Sequence, residues 1–342
     1  MEINKTGKTA VILTYPGIGD IIWHLPFLHG IAKKSDLGEI SLYTRKTTLA
    51  KDLLKYDKKI VKVFYLKESR EFFNTLFNFP RLIRNLNKEK FSTLWIFHRS
   101  PRYAIAARLS RIKNIYGFGL GAQKIWLTSK KNIGNDSKKK DNVFKARRFM
   151  NTYGINFKSY PQIILPKKII KNNILQLNEH PKPWITIGFS CNKTAFMNKN
   201  IPYSFYRTWR PGYFSKLINL VLQKKTKKTF FLIGAQNERG IAESIIKKCL
   251  NKKNVLVSCH SLVKNLSILS QSKCFIGNDS GPLNLSGALG IKSFGLFGAS
   301  PPIKNVKNIF PIVPPGGPVN PHKDGFNPIS LEKGMDLIKP EL

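Results

Sequence analysis

The stretch Cys274 to Gly298, CFIGNDSGPLNLSGALGIKSFGLFG, decides how the rest of the chain is read. Cys274 to Gly277 is a short apolar run that stops at Asn278-Asp279-Ser280-Gly281, where the side chains cap helices and the glycine tolerates positive φ. Pro282 stands where a first helical turn accepts it, Leu283 to Leu289 favour helix, and Gly290 ends it before a second apolar run, Ser293 to Phe297. The stretch therefore reads as strand, polar loop, helix, strand. Such a loop leaves unpaired backbone N–H groups at the helix start, which makes an anion site.

Outward from this unit the same alternation runs through the whole chain. Ala10 to Thr14 is an apolar strand that turns through Pro16-Gly17-Ile18-Gly19-Asp20 into a helix, Ile21 to Lys34, containing Pro26. Strands and helices then alternate: Ile40 to Tyr43, Thr48 to Tyr56, Lys62 to Tyr65, Phe72 to Asn87, Leu94 to Phe97 and Ala104 to Ser110. Gly117 to Gly121 reads as flexible and polar, Lys130 to Lys140 as a charged loop without an apolar core, and Asp141 to Tyr153 as a helix. In that helix Val143, Ala146, Met150 and Tyr153 form a core face. Ser159 to Lys168, extended and proline-marked, is the linker. Beyond it the pattern restarts with Trp184 to Phe189, Phe230 to Ile233, Arg239 to Leu250, Val255 to Ser258 and Ser261 to Ser270. Phe310 to Pro328 is irregular, and Ile329 to Ile338 is a closing helix. The fold class is α/β, with two Rossmann-like doubly wound parallel-sheet domains, 1–160 and 161–342. The G-x-G at Gly17 and Gly19 is no dinucleotide fingerprint, because Ile22 stands at the third glycine position.

Asp279-Ser280-Gly281-Pro282-Leu283-Asn284-Leu285, with Gly287-Ala288-Leu289-Gly290 and Phe297-Gly298, resembles the D-[ST]-G-x-x-H-x-A-x-A-L-G…L-F-G signature of glycosyltransferase family 9, the heptosyltransferases. Asn284 stands where that family has His, and an amide cannot carry a proton at neutral pH. The opening Gly17-Ile18-Gly19-Asp20 is similar to the family's G-x-I-G-D, and His98-Arg99-Ser100-Pro101-Arg102 to its H-x-S-x-R on the acceptor side. Arg207-Thr208-Trp209-Arg210-Pro211 through Phe214 looks like K-x-W-P-x-x-x-F, with Arg207 for the usual Lys and Arg210 as the other cation in reach. Gly234 to Glu238 is similar to G-G-x-x-[DE].

The resemblance implies a GT-B arrangement of two Rossmann-like domains facing a cleft. In the family, heptose moves from ADP-heptose to the inner core of lipopolysaccharide with inversion. Carried over residue by residue, Asp20 is the general base, and Gly19, Arg99 and Arg102 contact the acceptor. Ser190, Asn192, Arg207, Gly234, Glu238, Asp279, Ser280, Gly281 and Asn284 hold the donor. From the residues alone, Asp20 and Glu238 are also plain helix-start carboxylates, and Arg99 and Arg102 surface cations before a helix. No D-x-D sequence occurs, so no metal clamp on the diphosphate is expected, and no cofactor beyond the nucleotide-sugar substrate.

The composition bounds these expectations. The 342 residues, 42% hydrophobic, suit two cores and contain no apolar run of membrane-spanning length and no signal peptide, so a soluble cytoplasmic protein is expected. The four cysteines lack C-x-x-C spacing, which argues against disulfides and zinc. The net charge of +39 is spread along the chain. It is either a solvated lysine surface or an attraction to polyanions. No nucleic-acid module accompanies it. An anionic glycolipid acceptor of the lipid A/Kdo type, met at the inner face of the inner membrane, is the favoured partner. Two other classes stay open: a GT-B transferase or epimerase with another nucleotide sugar, and a non-catalytic nucleotide-binding relative.

Overall fold

Among the described residues, β-branched and aromatic runs bounded by Gly, Pro and Asn produce eleven strands, and every pairing between them is parallel. The computed structural model describes residues 7–66, 72–191, 207–223, 227–302, 304–318 and 327–338. The chain forms two compact units, Met1–Pro161 and Gln162–Leu342.

The first unit holds β1 (Thr9–Leu13), β2 (Ile40–Arg45), β3 (Ile60–Leu66), β4 (Thr93–Phe97) and β5 (Asn114–Gly117), in the order β3-β2-β1-β4-β5. Its helices are α1 (Ile18–Lys34), α2 (Ala50–Leu53), α3 (Phe72–Glu89), α4 (Arg102–Leu109), α5 (Gln123–Trp126) and α6 (Asn142–Thr152). β1 and β4 are buried at every position, as central strands covered on both faces must be. The face of α6 expected in the core is there in Ala146, Met150 and Tyr153, and Phe149 joins them. The rings of Phe149 and Tyr153 pack on Trp95 of β4 at 5.5 and 5.4 Å.

The second unit holds α7 (Lys167–Ile174), β6 (Trp184–Gly188), α8 (Pro211–Leu222), β7 (Thr229–Ile233), α9 (Arg239–Lys247), β8 (Val255–Ser258), α10 (Leu262–Ser270), β9 (Ser272–Asn278), α11 (Gly281–Ala288), β10 (Lys292–Leu296), β11 (Ile309–Ile312) and α12 (Leu331–Ile338). Its sheet order is β11-β10-β9-β6-β7-β8. In both sheets three consecutive strands step outward one way and the rest step the other way. The reversal falls between β1 and β4 in the first unit, and between β6 and β9 in the second. In open α/β sheets, the carboxyl ends of strands at such a reversal are where ligands bind.

A row of glycines crosses the middle of the second sheet. Gly188 of β6 pairs with Gly277 of β9, which pairs with Gly295 of β10. A Cβ on Gly277 would stand 2.6 Å from the Gly188 carbonyl oxygen, one on Gly188 2.5 Å from the Phe275 ring, and one on Gly295 2.7 Å from Leu283 Cδ2. The absent side chains let Phe275 lie across the sheet and let α11 sit close upon it.

Several elements differ from the sequence expectations. Asn114–Gly117, at the edge of the supposed flexible segment, is a strand, and Gly119 at φ +68° serves a close approach, with Lys131 O 2.8 Å from the site of its missing Cβ. Lys130 to Lys140 is not coreless: Ile133 is buried, its N–H bonds Phe118 O, and Asn135–Lys139 is a 3₁₀ turn. The helix expected over Thr48 to Tyr56 shrinks to α2, because Leu49 takes φ +51° and breaks the run. The linker's end enters α7, and the irregular tail begins with β11 at the sheet edge. All four cysteines are buried. Among the described residues no helix is long and apolar enough to cross a membrane.

Candidate functional site

In the first unit, the loop after β1 caps α1. Gly17 is the N-cap, and the Asp20 carboxylate, three residues on, accepts the Gly17 N–H at 2.9 Å through Oδ2. This is the reaching-back half of a capping box, and it satisfies one donor of the helix start. Burial pushes the Asp20 carboxyl above its ordinary range, with the Gly17 hydrogen bond and the Arg45 charge pulling the other way. A carboxylate in that state is a stronger base than one in water. Arg45 ends β2, two residues past the last β1 pairing partner on that strand, so the sheet brings its cation to the same edge. Gly19 lies in the same first turn of α1.

His24 lies one turn below Asp20, and the i, i+4 spacing sets its ring against that residue's backbone. Its Nδ1–H donates to Asp20 O at 2.6 Å, and burial pushes its pKa down to about 4, so the ring is neutral at pH 7. Tyr15, Phe27 and Phe97 surround it at centroid distances of 5.2, 5.9 and 5.8 Å. The Tyr15 hydroxyl is pushed well above its ordinary pKa by burial and then by the Asp20 charge, so Tyr15 remains a neutral hydroxyl near that carboxylate. Tyr15, His24 and Arg45 were not among the sequence candidates. Only the helical spacing of His24 could have pointed to one of them.

The loop after β4 is folded on itself. His98 Nδ1 accepts the Ser100 N–H at 2.9 Å, and Gln123 Nε2 donates to His98 O at 2.6 Å. Arg102 opens α4 with its guanidinium at 4.6 Å from the Tyr103 ring centroid and donating to the Tyr103 hydroxyl. Arg99 is exposed beside it. Both arginines therefore stand at the carboxyl edge of β4, next to β1 in the sheet.

In the second unit the centre is Asp279, directly after β9. Arg207 donates through one guanidinium nitrogen to Asp279 Oδ2 at 2.5 Å and to Asp279 O at 2.6 Å, and Ser300 Oγ donates to the same Oδ2 at 2.5 Å. Three segments distant in sequence are thereby clamped on one carboxylate. Trp209 fixes the Arg207 segment: its backbone N–H donates to Asn278 Oδ1 at 2.9 Å and its Nε1–H to Ile329 O at 2.7 Å. Of the two candidate cations, Arg207 is the one placed on the Asp279 loop, while Arg210 caps α8. Ser280 is the N-cap of α11 in extended conformation, and Gly281 opens the helix ahead of Pro282. Among the described residues the buried Ser280 hydroxyl finds no partner, and neither do Arg207 Nε and Asn278 Nδ2. Three donors gathered at a helix N-terminus make a cradle for an anion.

Asn284 is buried in the second turn of α11 and donates its amide N–H to Ser280 O at 2.9 Å. Ser190 is buried two residues past β6, beside β9. Asn192 lies outside the described residues. Gly234 follows β7, with the Phe189 ring 2.6 Å from the site of its missing Cβ, and Glu238 is buried with Oε2 accepting the Ala235 N–H at 2.7 Å. The Glu238 carboxylate thus closes its own turn. Ser300, Asn278 and Trp209 were missed as site residues, since nothing in sequence places Ser300 on Asp279. Among the described residues no group of three or more His, Cys, Asp or Glu could hold a metal ion.

The model of glycosyltransferase family 9 (heptosyltransferase) matches residues 194–311, the part of the second unit that carries Arg207, Asp279 and α11. Comparison with the curated proteins finds no match. Among solved structures, a glycosyl transferase family 9 protein from Veillonella parvula superposes with a TM-score of 0.77 at 13% identity, covering 100% of this chain and 98% of that one. The ADP-heptose lps heptosyltransferase II of E. coli gives 0.73 at 12%, covering 98% of each chain. E. coli heptosyltransferase WaaC with ADP-2-deoxy-2-fluoro heptose gives 0.68 at 15%, covering 98% of this chain and 100% of that one. At these identities the structural likeness speaks for the fold, two parallel-sheet α/β domains of the GT-B heptosyltransferase kind. The sequence resemblance to glycosyltransferase family 9 holds, and with the family match it supports a glycosyltransferase.

Proposed function

We propose that the chain is an inverting, metal-independent glycosyltransferase that moves a heptose or related sugar from ADP-heptose to a lipopolysaccharide inner-core acceptor. The observation that carries this reading is the Asp20 carboxylate. It stands at the carboxyl edge of β1, beside the β1/β4 reversal, and burial holds it above its ordinary pKa. In the reaction the acceptor hydroxyl attacks the anomeric carbon, its proton passes to Asp20, and the bond to the diphosphate breaks with its electron pair leaving on ADP. The departing charge needs positive potential. Arg207, the Ser280 hydroxyl and the N–H groups at the start of α11 are suited to supply it. Arg99 and Arg102 provide cations for carboxylates or phosphates of an acidic sugar acceptor.

The nucleotide assignment leans on one relative of this fold: E. coli heptosyltransferase WaaC is described once with ADP-2-deoxy-2-fluoro heptose and once with ADP. An acceptor anchored in lipid places the enzyme at the inner face of the membrane, in keeping with a net charge of +39. The test is a panel of ADP-, UDP- and GDP-sugars read by thermal shift and by transfer to a delipidated, Kdo-bearing core glycan. Stabilisation and turnover with ADP-heptose are expected. Stabilisation by a UDP-sugar with epimerised product would replace this reading with that of an epimerase, and binding without turnover would replace it with a non-catalytic one.

A further inference from the structure

The short helix α5 inverts the usual rule of burial. Of its two polar members Lys124 is exposed but Gln123 is fully buried, with Oε1 accepting the Gly119 N–H at 3.0 Å and Nε2 donating to His98 O. Its apolar members face outward: Ile125 is 70% exposed and Trp126 38%. A second polar tie holds this orientation from the neighbouring helix. Arg108 donates through Nε to Trp126 O at 3.0 Å and through a terminal nitrogen to Leu127 O at 2.9 Å. The last turn of α4, which carries Leu109 at 58% exposure, is thereby fastened to the last turn of α5. Single exposed apolar residues are ordinary on a protein surface. Three large ones on two helix ends, held in place by the buried Gln123 amide and by the Arg108 guanidinium hydrogen bonds, are a built apolar surface.

The charge around it says what covers it. From Lys90 to Asn135 the chain contains no Asp or Glu, and Arg111, Lys113, Lys124 and Lys130 are exposed around α4 and α5. Apolar side chains including a Trp, ringed by Lys and Arg with no acid nearby in sequence, match the boundary of an anionic bilayer, where apolar groups enter the acyl edge and cations remain at the headgroups. A second copy of the same chain would bring cations against cations. We propose that Leu109, Ile125 and Trp126, with this basic rim, form the face by which the protein docks on an anionic lipid surface.

The inference rests on the proposed reading of a lipid-anchored acceptor, and it adds where that lipid lies. α4 runs from Arg102, at the carboxyl edge of β4, to Leu109, and its eight residues span about 12 Å at the usual helical rise. A glycan rising from the headgroup layer crosses such a distance to reach Arg102 while its lipid stays in the bilayer.

The experiment is co-sedimentation of the full chain with vesicles of phosphatidylcholine alone and with a third phosphatidylglycerol, containing no glycolipid, so that no acceptor chemistry enters the readout. Binding to the anionic vesicles alone is expected, with the double variant Ile125→Ser/Trp126→Ser lowering the partition coefficient about tenfold at unchanged thermal midpoint. Lys124→Glu, which touches no buried group, is expected to lower it about fivefold. Emission from Trp126 is expected to shift to the blue and to be quenched by brominated lipid, and Trp126→Phe is expected to abolish both changes. Turnover of the double variant on a delipidated acceptor should stay within about twofold of the parent, which separates docking from catalysis. Parental vesicle binding by both the double variant and Lys124→Glu overturns the proposal. So does a dimer in solution that the double variant converts to monomer.

Discussion

Two aspartates stand on opposite sides of the strand-order reversals in the two halves of this molecule, one after the first strand of its half and one after the fourth, and live under opposite conditions. Asp20 and Asp279 each follow a central strand at the reversal of its sheet, and each stands at the start of a helix. Asp20 has one N–H for a partner, lies partly out of water, and is held above its ordinary pKa. Asp279 receives two hydrogen bonds from Arg207 and one from Ser300, counting its carbonyl. The first arrangement leaves a carboxylate able to take a proton. The second makes a carboxylate into a fastening that holds a guanidinium and a hydroxyl in place. Position in a Rossmann-like half therefore selects where chemistry happens, and the donors around each carboxylate select what it does.

The sharpest way to break the comparison is Asp20→Asn. The amide keeps size and a capping oxygen, so folding should change by well under ~1 kcal/mol, whereas kcat should fall at least ~100-fold because an amide cannot accept the proton. Donor affinity should remain within a few fold. Near-parental turnover by the folded variant would return Asp20 to the status of a cap. Asp279→Asn is the mirror experiment. It loosens Arg207 and Ser300 together, so the donor KM should rise about tenfold while the acid limb of the pH profile stays where it is. Movement of that limb would mean that Asp279, not Asp20, titrates in the reaction.

A smaller effect probes how Asp20 is poised. Burial raises its pKa and Arg45 opposes the rise. Removing the cation in Arg45→Gln should raise the pKa further, leave less of the base ionised at low pH, and move the acid limb of kcat/KM to higher pH. At the foot of that limb the loss should be several fold and should vanish well above it, with Arg45→Lys restoring the parental profile. An unmoved limb would remove Arg45 from the site. The smallest expected change is with EDTA, which should alter turnover less than about twofold. Activity that disappears with EDTA and returns with Mg²⁺ or Mn²⁺ would replace the guanidinium and helix start with a metal as the acceptor of departing charge.

The fold could be read because its central strands are buried on both faces and therefore appear as unbroken apolar runs, as TAVIL at β1 and TFFLI at β7 do. Two of the four edge strands, β5 and β11, lack that signature. β5 is NIYG, half polar and leading into a glycine-rich turn, and β11 is IFPI, whose Pro311 is tolerated because an edge strand has a side with no ladder to complete. Both were passed over because no unbroken apolar run marks them, polar residues interrupting the first and a proline the second. The site divides in a similar way. Asp20, Ser280 and Gly281 announce themselves because loop chemistry at a helix start is local, and Arg207 was visible through its Trp209-Arg210-Pro211 surroundings. Ser300 and Arg45 were invisible, since they reach Asp279 and Asp20 only through the register of the sheets. Asn284 was noticed as a departure in sequence, yet its bond to Ser280 O, one helical turn back, could be seen only in three dimensions.

The row Gly188, Gly277 and Gly295 bears on how this chain can drift over generations. Its surface is permissive: with 58 basic residues against 19 acidic ones, exchanging one lysine for another polar residue alters little that folding depends on. Under the Asp279 loop the tolerance drops to less than a methyl group, because a Cβ at Gly277 meets main chain. Lineages descending from this sequence are therefore free to remake its charge and its partners, while Gly277 stays closed to any side chain, and Gly188 and Gly295 open only if Phe275, Phe297 or Leu283 gives way.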